Sequence, residues 1–149
     1  DRFMFNVVLN YPLYEEELQI VRHTTIKQNI TLKTIMSADE ILKFQELITR
    51  MPVTENVLQY AVGLVVKTRP NTEKTADVVK EYIEWGAGPR ASQYMIMAAK
   101  CHAAIDGKYS PDIEDVKAIA TPVLTHRLIK NYKAEAEGMS IEKIIELIL

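Results

Sequence analysis

The sequence predicts a mainly α-helical chain, a helical bundle preceded by one short strand. Three observations carry this expectation. Apolar residues recur at helical steps of three and four over most of the chain. Serine, threonine or proline signals for helix starts stand before several of these stretches. Strand-like alternation occurs only at the beginning.

Phe3, Phe5, Val7 and Leu9 alternate with Met4, Asn6 and Val8, which favours a short strand, and Tyr11-Pro12 stops it. Glu15, Glu16 and Glu17 supply the negative charge that a first helical turn favours, with Leu18, Val21 and Thr25 as the inner face. The polar stretch 24–33 reads as the end of that helix and a linker. Ser37-Ala38-Asp39-Glu40 is a capping box, and Ile41, Phe44, Ile48 and Met51 follow on one helical face. Pro52 ends this helix and Thr54 caps the next. Residues 57–66 are apolar nearly all round, so that helix is expected to be buried on several sides. Four valines and Gly63 make a strand the competing assignment there; the caps and the length favour helix.

Residues 70–77 are loop-like, and 78–85 fit either a short helix or an extended piece. Gly86-Ala87-Gly88-Pro89 is the sharpest break in the chain. Pro89 then opens a helix ending at Gly107. Ser110-Pro111 signals a short helix through Val116 and Ile119. Thr121-Pro122 repeats the signal, so Pro122 is expected to begin a new helix. Ser140 caps the last one, through Ile141, Ile144, Ile145 and Ile148. A single strand is not a sheet. Its partners are expected in another chain or in a preceding part, and the absence of a starting methionine fits a fragment of something longer.

Composition excludes little beyond this. The chain has 149 residues, 48% hydrophobic and 26% charged, with 18 basic against 20 acidic side chains and a net charge of −2. That balance gives no whole-chain attraction to nucleic acid or anionic membrane. No apolar run approaches the roughly 18–20 residues of a membrane span, and no signal peptide opens the chain. One cysteine, Cys101, excludes an internal disulfide and fits a reducing, cytoplasmic setting.

No self-contained catalytic centre is visible. Gly107-Lys108 is followed by Tyr109 where a phosphate-binding loop needs serine or threonine, and no metal-binding motif occurs. Cys101 and His102 point about 100° apart on a helix and do not readily share a metal; Cys101 reads as a buried small hydrophobe. His23 and His126 read as surface or helix-end residues. The charges between Asp112 and Lys133 read as a solvated face. Arg90 is the unusual residue. It stands in a first helical turn, where the helix dipole disfavours a cation, so it points to an anion held with the free N–H groups. The alternative is a solvated arginine paired with a surface carboxylate. Arg2 alone reads as an exposed residue.

Five segments in order change this. Asp1-Arg2-Phe3, the strand ending in Tyr11-Pro12 and the following Glu15-Glu16-Glu17-Leu18 resemble the end of the ATPase core in MoxR-family AAA+ proteins. Gly88-Pro89-Arg90-Ala91-Ser92, the segment from Tyr109 to Lys117, Pro122-Val123-Leu124-Thr125-His126-Arg127-Leu128 and Ala136-Glu137-Gly138 are similar to later motifs of that family. Leu13 stands where a capping serine is usual. Gly88 replaces the serine before Pro89, which is expected to loosen the loop presenting Arg90.

The resemblance implies a fold of one strand left over from a truncated α/β core, followed by a helical AAA+ lid. It implies core end and linker at 1–36, an inserted helix at 37–52 and the lid at 53–149. Arg90 is then the sensor-2 arginine, binding ATP phosphates, and Arg2 the catalytic arginine finger directed at a neighbouring subunit. The full-length protein would bind ATP and Mg²⁺, form a ring, expected to be a hexamer, and remodel clients in a chaperone-like way, with a von Willebrand A domain protein as a possible partner. This chain alone lacks the phosphate loop, and neither tight cofactor binding nor hydrolysis is expected of it. No metal ligands, membrane span or nucleic-acid partner are expected either. The alternative is a free-standing helical adaptor for a protein or nucleic acid. The sequence preceding Asp1 discriminates, since a Gly-Lys-Ser/Thr phosphate loop there favours the ATPase.

Overall fold

A computed structural model describes residues 1–27 and 30–149, so part of the linker expected at 24–33 lies outside the described residues. In chain order the helices are α1 (Tyr14–Thr24), α2 (Ala38–Arg50), α3 (Glu55–Lys67) and α4 (Asp77–Tyr82). Strand β1 (Ile83–Trp85) leads to α5 (Pro89–Ile105) and α6 (Ile113–Leu124). A 3₁₀ turn (Thr125–Arg127), β2 (Ile129–Lys130), α7 (Tyr132–Ala136) and α8 (Ile141–Ile148) complete the chain.

Alanine decides how the bundle packs. The buried face of α5 is Ala91, Met95, Ala98, Ala99 and Ala103, small enough for α6 to lie close along it. The α6 face answering it is Val116, Ile119, Ala120, Val123 and Leu124. Val57, Ala61, Leu64 and Val65 of α3, and Ile144, Ile145 and Ile148 of α8, close the core. The helical assignment of 57–66 holds, although Val62 is exposed.

The capping signals set most of the boundaries. Ser37 Oγ accepts from the Glu40 N–H at 3.3 Å, and the Glu40 carboxylate accepts from the Ser37 N–H at 2.8 Å. Ser140 caps α8 in the expected way. At α1, Leu13 has no side-chain acceptor, and only the Glu16 half of such a box forms. Gly107, at φ +74°, terminates α5, with the Lys108 N–H bonded to the Ala103 carbonyl.

Two expectations about helix starts need correction. Helix α6 is capped by Asp112, whose carboxylate accepts from the Asp115 N–H at 3.0 Å, and Ser110-Pro111 lies in the preceding turn. Pro122 lies inside α6 and starts no new helix. The proline ring removes a single hydrogen bond close to the end of the helix, where the tight packing of Val123 and Leu124 outweighs the loss. The stretch 78–85 is both alternatives in succession, α4 and then β1, which pairs antiparallel with β2.

Residues 3–9 form no strand among the described residues, since no strand lies beside them. Their backbone meets the bundle at Asn6, whose N–H donates to the Pro122 carbonyl at 2.8 Å. That carbonyl belongs to the last turn of α6, where acceptors have no partner within the helix. Neither α1 nor α2 contains a buried residue. The expected inner face of α1 is therefore uncovered. Among the described residues no helix is long and apolar enough to cross a membrane.

Candidate functional site

Arg90 occupies the second position of α5, and the route to it begins at the end of α3. The Thr68 hydroxyl donates to the Val65 carbonyl at 2.6 Å and accepts from the Ala87 N–H at 3.0 Å. The Arg69 Nε donates to the Ala87 carbonyl at 2.9 Å. Between these anchors lies Gly86, where a Cβ would sit 2.2 Å from the Thr68 carbonyl oxygen. The loop before α5 therefore rests backbone on backbone against α3. Gly88, the N-cap, has an ordinary φ of −81° and open space around it, so the expected loosening has no basis in its geometry.

At this helix start Pro89 offers no N–H, and the Ala91 N–H is taken by the Gly88 carbonyl at 3.0 Å. The Arg90 side chain is about half exposed at 47% and meets the Asp1 carboxylate at 3.5 Å. An exposed pair that long is worth little and is readily exchanged for a better anion. Arg90 thus offers a long, planar donor at a helix start, beside a carboxylate that Arg127 holds from its other side at 3.1 Å.

Arg2 is exposed, and its side chain forms no hydrogen bond or ion pair among the described residues. Its backbone is nonetheless tied to the same corner, because the Tyr94 hydroxyl, one turn after Arg90, donates to the Arg2 carbonyl at 3.0 Å. The residue that organises this corner is Arg127, to which the sequence reading assigned no role. Its side chain is 1% exposed, with Nε on the Asp1 carboxylate at 3.1 Å. Nη1 donates to the carbonyls of Met4, at 3.2 Å, and Val123; Nη2 donates to those of Asp1 and Phe3, at 3.1 and 2.6 Å. The Tyr94 ring lies 5.2 Å from the guanidinium carbon. Burial lowers the pKa of Arg127, Tyr94 opposes this and Arg90 adds to it; the group stays charged at neutral pH.

His126 stands at a helix end, as expected, in the 3₁₀ turn after α6, and is half-buried. Its Nε2 lies 3.0 Å from the Phe3 carbonyl, so this nitrogen carries the proton, while Nδ1 is buried without a partner. Burial pushes its pKa down. The family-like segment 122–128 contains both residues, but nothing local shows what they do, because most of their partners lie more than 120 positions away.

A second polar cluster joins α5 to α6. Asp115 is fully buried, and its carboxylate accepts from the Asp112 N–H at 2.8 Å and from Lys108 at 2.9 Å, with His102 Nδ1 at 2.8 Å. Burial works to raise the Asp115 pKa, but these hydrogen bonds prevail and hold it at about 2. His102, Asp106 and Asp115 are close enough together to suggest a metal. The Lys108 ammonium on the central carboxylate makes the cluster a closed ion network instead. The stretch expected as a solvated face thus contains two buried charges, Asp115 and Arg127. Cys101 is half-buried, and burial raises its thiol pKa.

Residues 75–148 match the AAA lid domain family. The whole chain is 33% identical to the chaperone MoxR1 of Mycobacterium tuberculosis and 25% identical to the uncharacterized protein YeaC of Bacillus subtilis. It spans 39% and 44% of those proteins' lengths. A crystal structure of a candidate ATPase from Cytophaga hutchinsonii superposes on 99% of the chain with a TM-score of 0.86 and 34% identity. The chain covers 45% of that structure. Over its whole length the chain is thus similar to MoxR-type AAA+ proteins, and its second half matches the AAA lid domain.

Proposed function

We propose that this chain is the lid-bearing part of a ring-forming ATPase that remodels client proteins in a chaperone-like way. The observation that carries the reading is the Arg90 guanidinium at the start of α5, held by one exposed carboxylate at 3.5 Å and free to exchange it for phosphate. Residues 1–36 are the end of the ATPase core and a linker, 37–52 the inserted helix and 53–149 the lid. The uncovered apolar faces of α1 and α2 suit packing against the rest of such a protein.

In this reading Arg90 is the sensor-2 residue. It binds the nucleotide phosphates through its planar fork and brings the lid to them. Arg2 is the arginine finger, displayed toward a neighbouring subunit, where it stabilises the charge of phosphoryl transfer. ATP with Mg²⁺ is the cofactor; the metal supplies charge neutralisation at the phosphates and takes its ligands outside this chain. The ring is a hexamer, and its clients include proteins with von Willebrand A domains.

The test uses the full-length protein. Arg90→Ala is expected to cut turnover while leaving the lid folded, and unaffected ATPase activity overturns the sensor role. Mixing Arg2→Ala subunits with subunits disabled in the phosphate loop separates cis from trans action. Loss in cis only refutes the finger role. Calorimetric titration of ATP with Mg²⁺ into this chain alone is expected to give no saturable heat.

A further inference from the structure

Burying a guanidinium is costly unless its N–H groups find acceptors, and Arg127 finds most of them on one short segment. The carbonyls of four consecutive residues are all taken by side chains of the lid. Arg127 holds those of Asp1, Phe3 and Met4, Tyr94 holds that of Arg2, and His126 adds a second bond to Phe3. The Asp1 carboxylate lies between Arg127 at 3.1 Å and Arg90 at 3.5 Å. Backbone held at and on both sides of Arg2 gives its side chain a defined origin, and among the described residues that side chain is exposed and unpaired.

We infer that Arg127 and Tyr94 are positioning residues for Arg2: the lid of a subunit aims the finger presented by that same subunit. The inference rests on the reading of Arg2 as an arginine finger. An arginine that stabilises transition-state charge acts only in the correct place. A segment clamped at four successive carbonyls keeps it there without touching the nucleotide. Tyr94 lies on α5 one turn after Arg90, so a displacement of that end of the helix carries the backbone of Arg2 with it.

The test measures ATPase kinetics of the full-length protein. Tyr94→Phe keeps the ring against Arg127 and removes only the hydroxyl bonded to Arg2. It is expected to lower kcat about 2- to 10-fold, the worth of one hydrogen bond, with the KM for ATP unchanged. Arg127→Lys keeps the charge but loses the fork, and is expected to lower kcat about 10-fold or more. In an Arg2→Ala background both substitutions are expected to be silent, because they act through Arg2.

An unchanged kcat for Tyr94→Phe overturns the inference. So does an equal loss in the Arg2→Ala background, which would mark the two residues as merely structural. Should Arg127→Lys lower the Tm of the ATPase, Tyr94→Phe alone decides. If Arg2→Ala by itself leaves turnover intact, the finger reading fails first and this inference with it; a large Arg2→Ala effect beside a silent Tyr94→Phe sinks this inference alone.

Discussion

Helices α2 and α6 are near twins by local criteria and opposites by burial. Each has about three turns, and each opens with a complete capping box, Ser37 with Glu40 and Asp112 with Asp115. Yet α6 buries six residues and α2 none, with Phe44 in the middle of its apolar face still 53% exposed. The contrast extends to residues 1–50 and 53–149 as wholes. Caps and periodicity are local instructions that a helix carries within itself. Burial depends on a partner surface, which the bundle supplies to itself and the earlier region does not. Stability in this chain is therefore expected to reside in the second region and the short segment 1–4 clamped to it, with α1 and α2 contributing less.

The strongest way to break that contrast is to empty the core. Leu64→Ala, at a side chain 2% exposed, is expected to cost about 2–5 kcal/mol in chemical denaturation of this chain. Phe44→Ala is expected to cost within about 0.5 kcal/mol. Equal losses would mean that α2 is part of the cooperative unit.

Next in size is Gly86→Ala, whose methyl would meet the Thr68 carbonyl. A cost of about 1–3 kcal/mol is expected. Amide exchange should increase at Ala87 and in the first turn of α5, and unchanged exchange there would show that the loop has room to move.

Acid reads the Asp115 network. Its folded pKa, about 2, lies below the ordinary value of 3.8. Its contribution of about 2 kcal/mol is therefore complete above pH 4 and is lost as the pH falls toward 2. Asp115→Asn should flatten that part of the stability–pH curve, and an unchanged curve would assign the acid transition to other carboxylates.

The smallest effect sharpens the contrast. Ser37→Ala is expected to destabilise α2 by about 1 kcal/mol. It should be visible as faster amide exchange within α2 and not in the denaturation midpoint of the bundle.

What could be read from sequence divides in the same way. The starts of α2, α5 and α8 follow from Ser37, Pro89 and Ser140, whose effects act within four residues. The helix at 57–66 follows from apolar residues on every side. The β1–β2 pair was not legible, because two and three residues are too few to show alternation. Pro122 was misplaced because a local rule for proline ignores the packing beyond it. Arg90 stood out as a cation at the wrong end of a helix, a signal contained in its own turn. Arg127 gave no such signal. A buried arginine is identified by its acceptors, and these are supplied by the opposite end of the chain.

The glycine at position 86 has a mechanical consequence. Where side chains meet, packing can yield by a change of rotamer; where backbone meets backbone, as at Gly86 and Thr68, the contact has almost no compliance. The end of α3 and the start of α5 thus behave as one stiff joint. A displacement at the end of α3 is therefore expected to carry the first turn of α5, where Arg90 stands, with it.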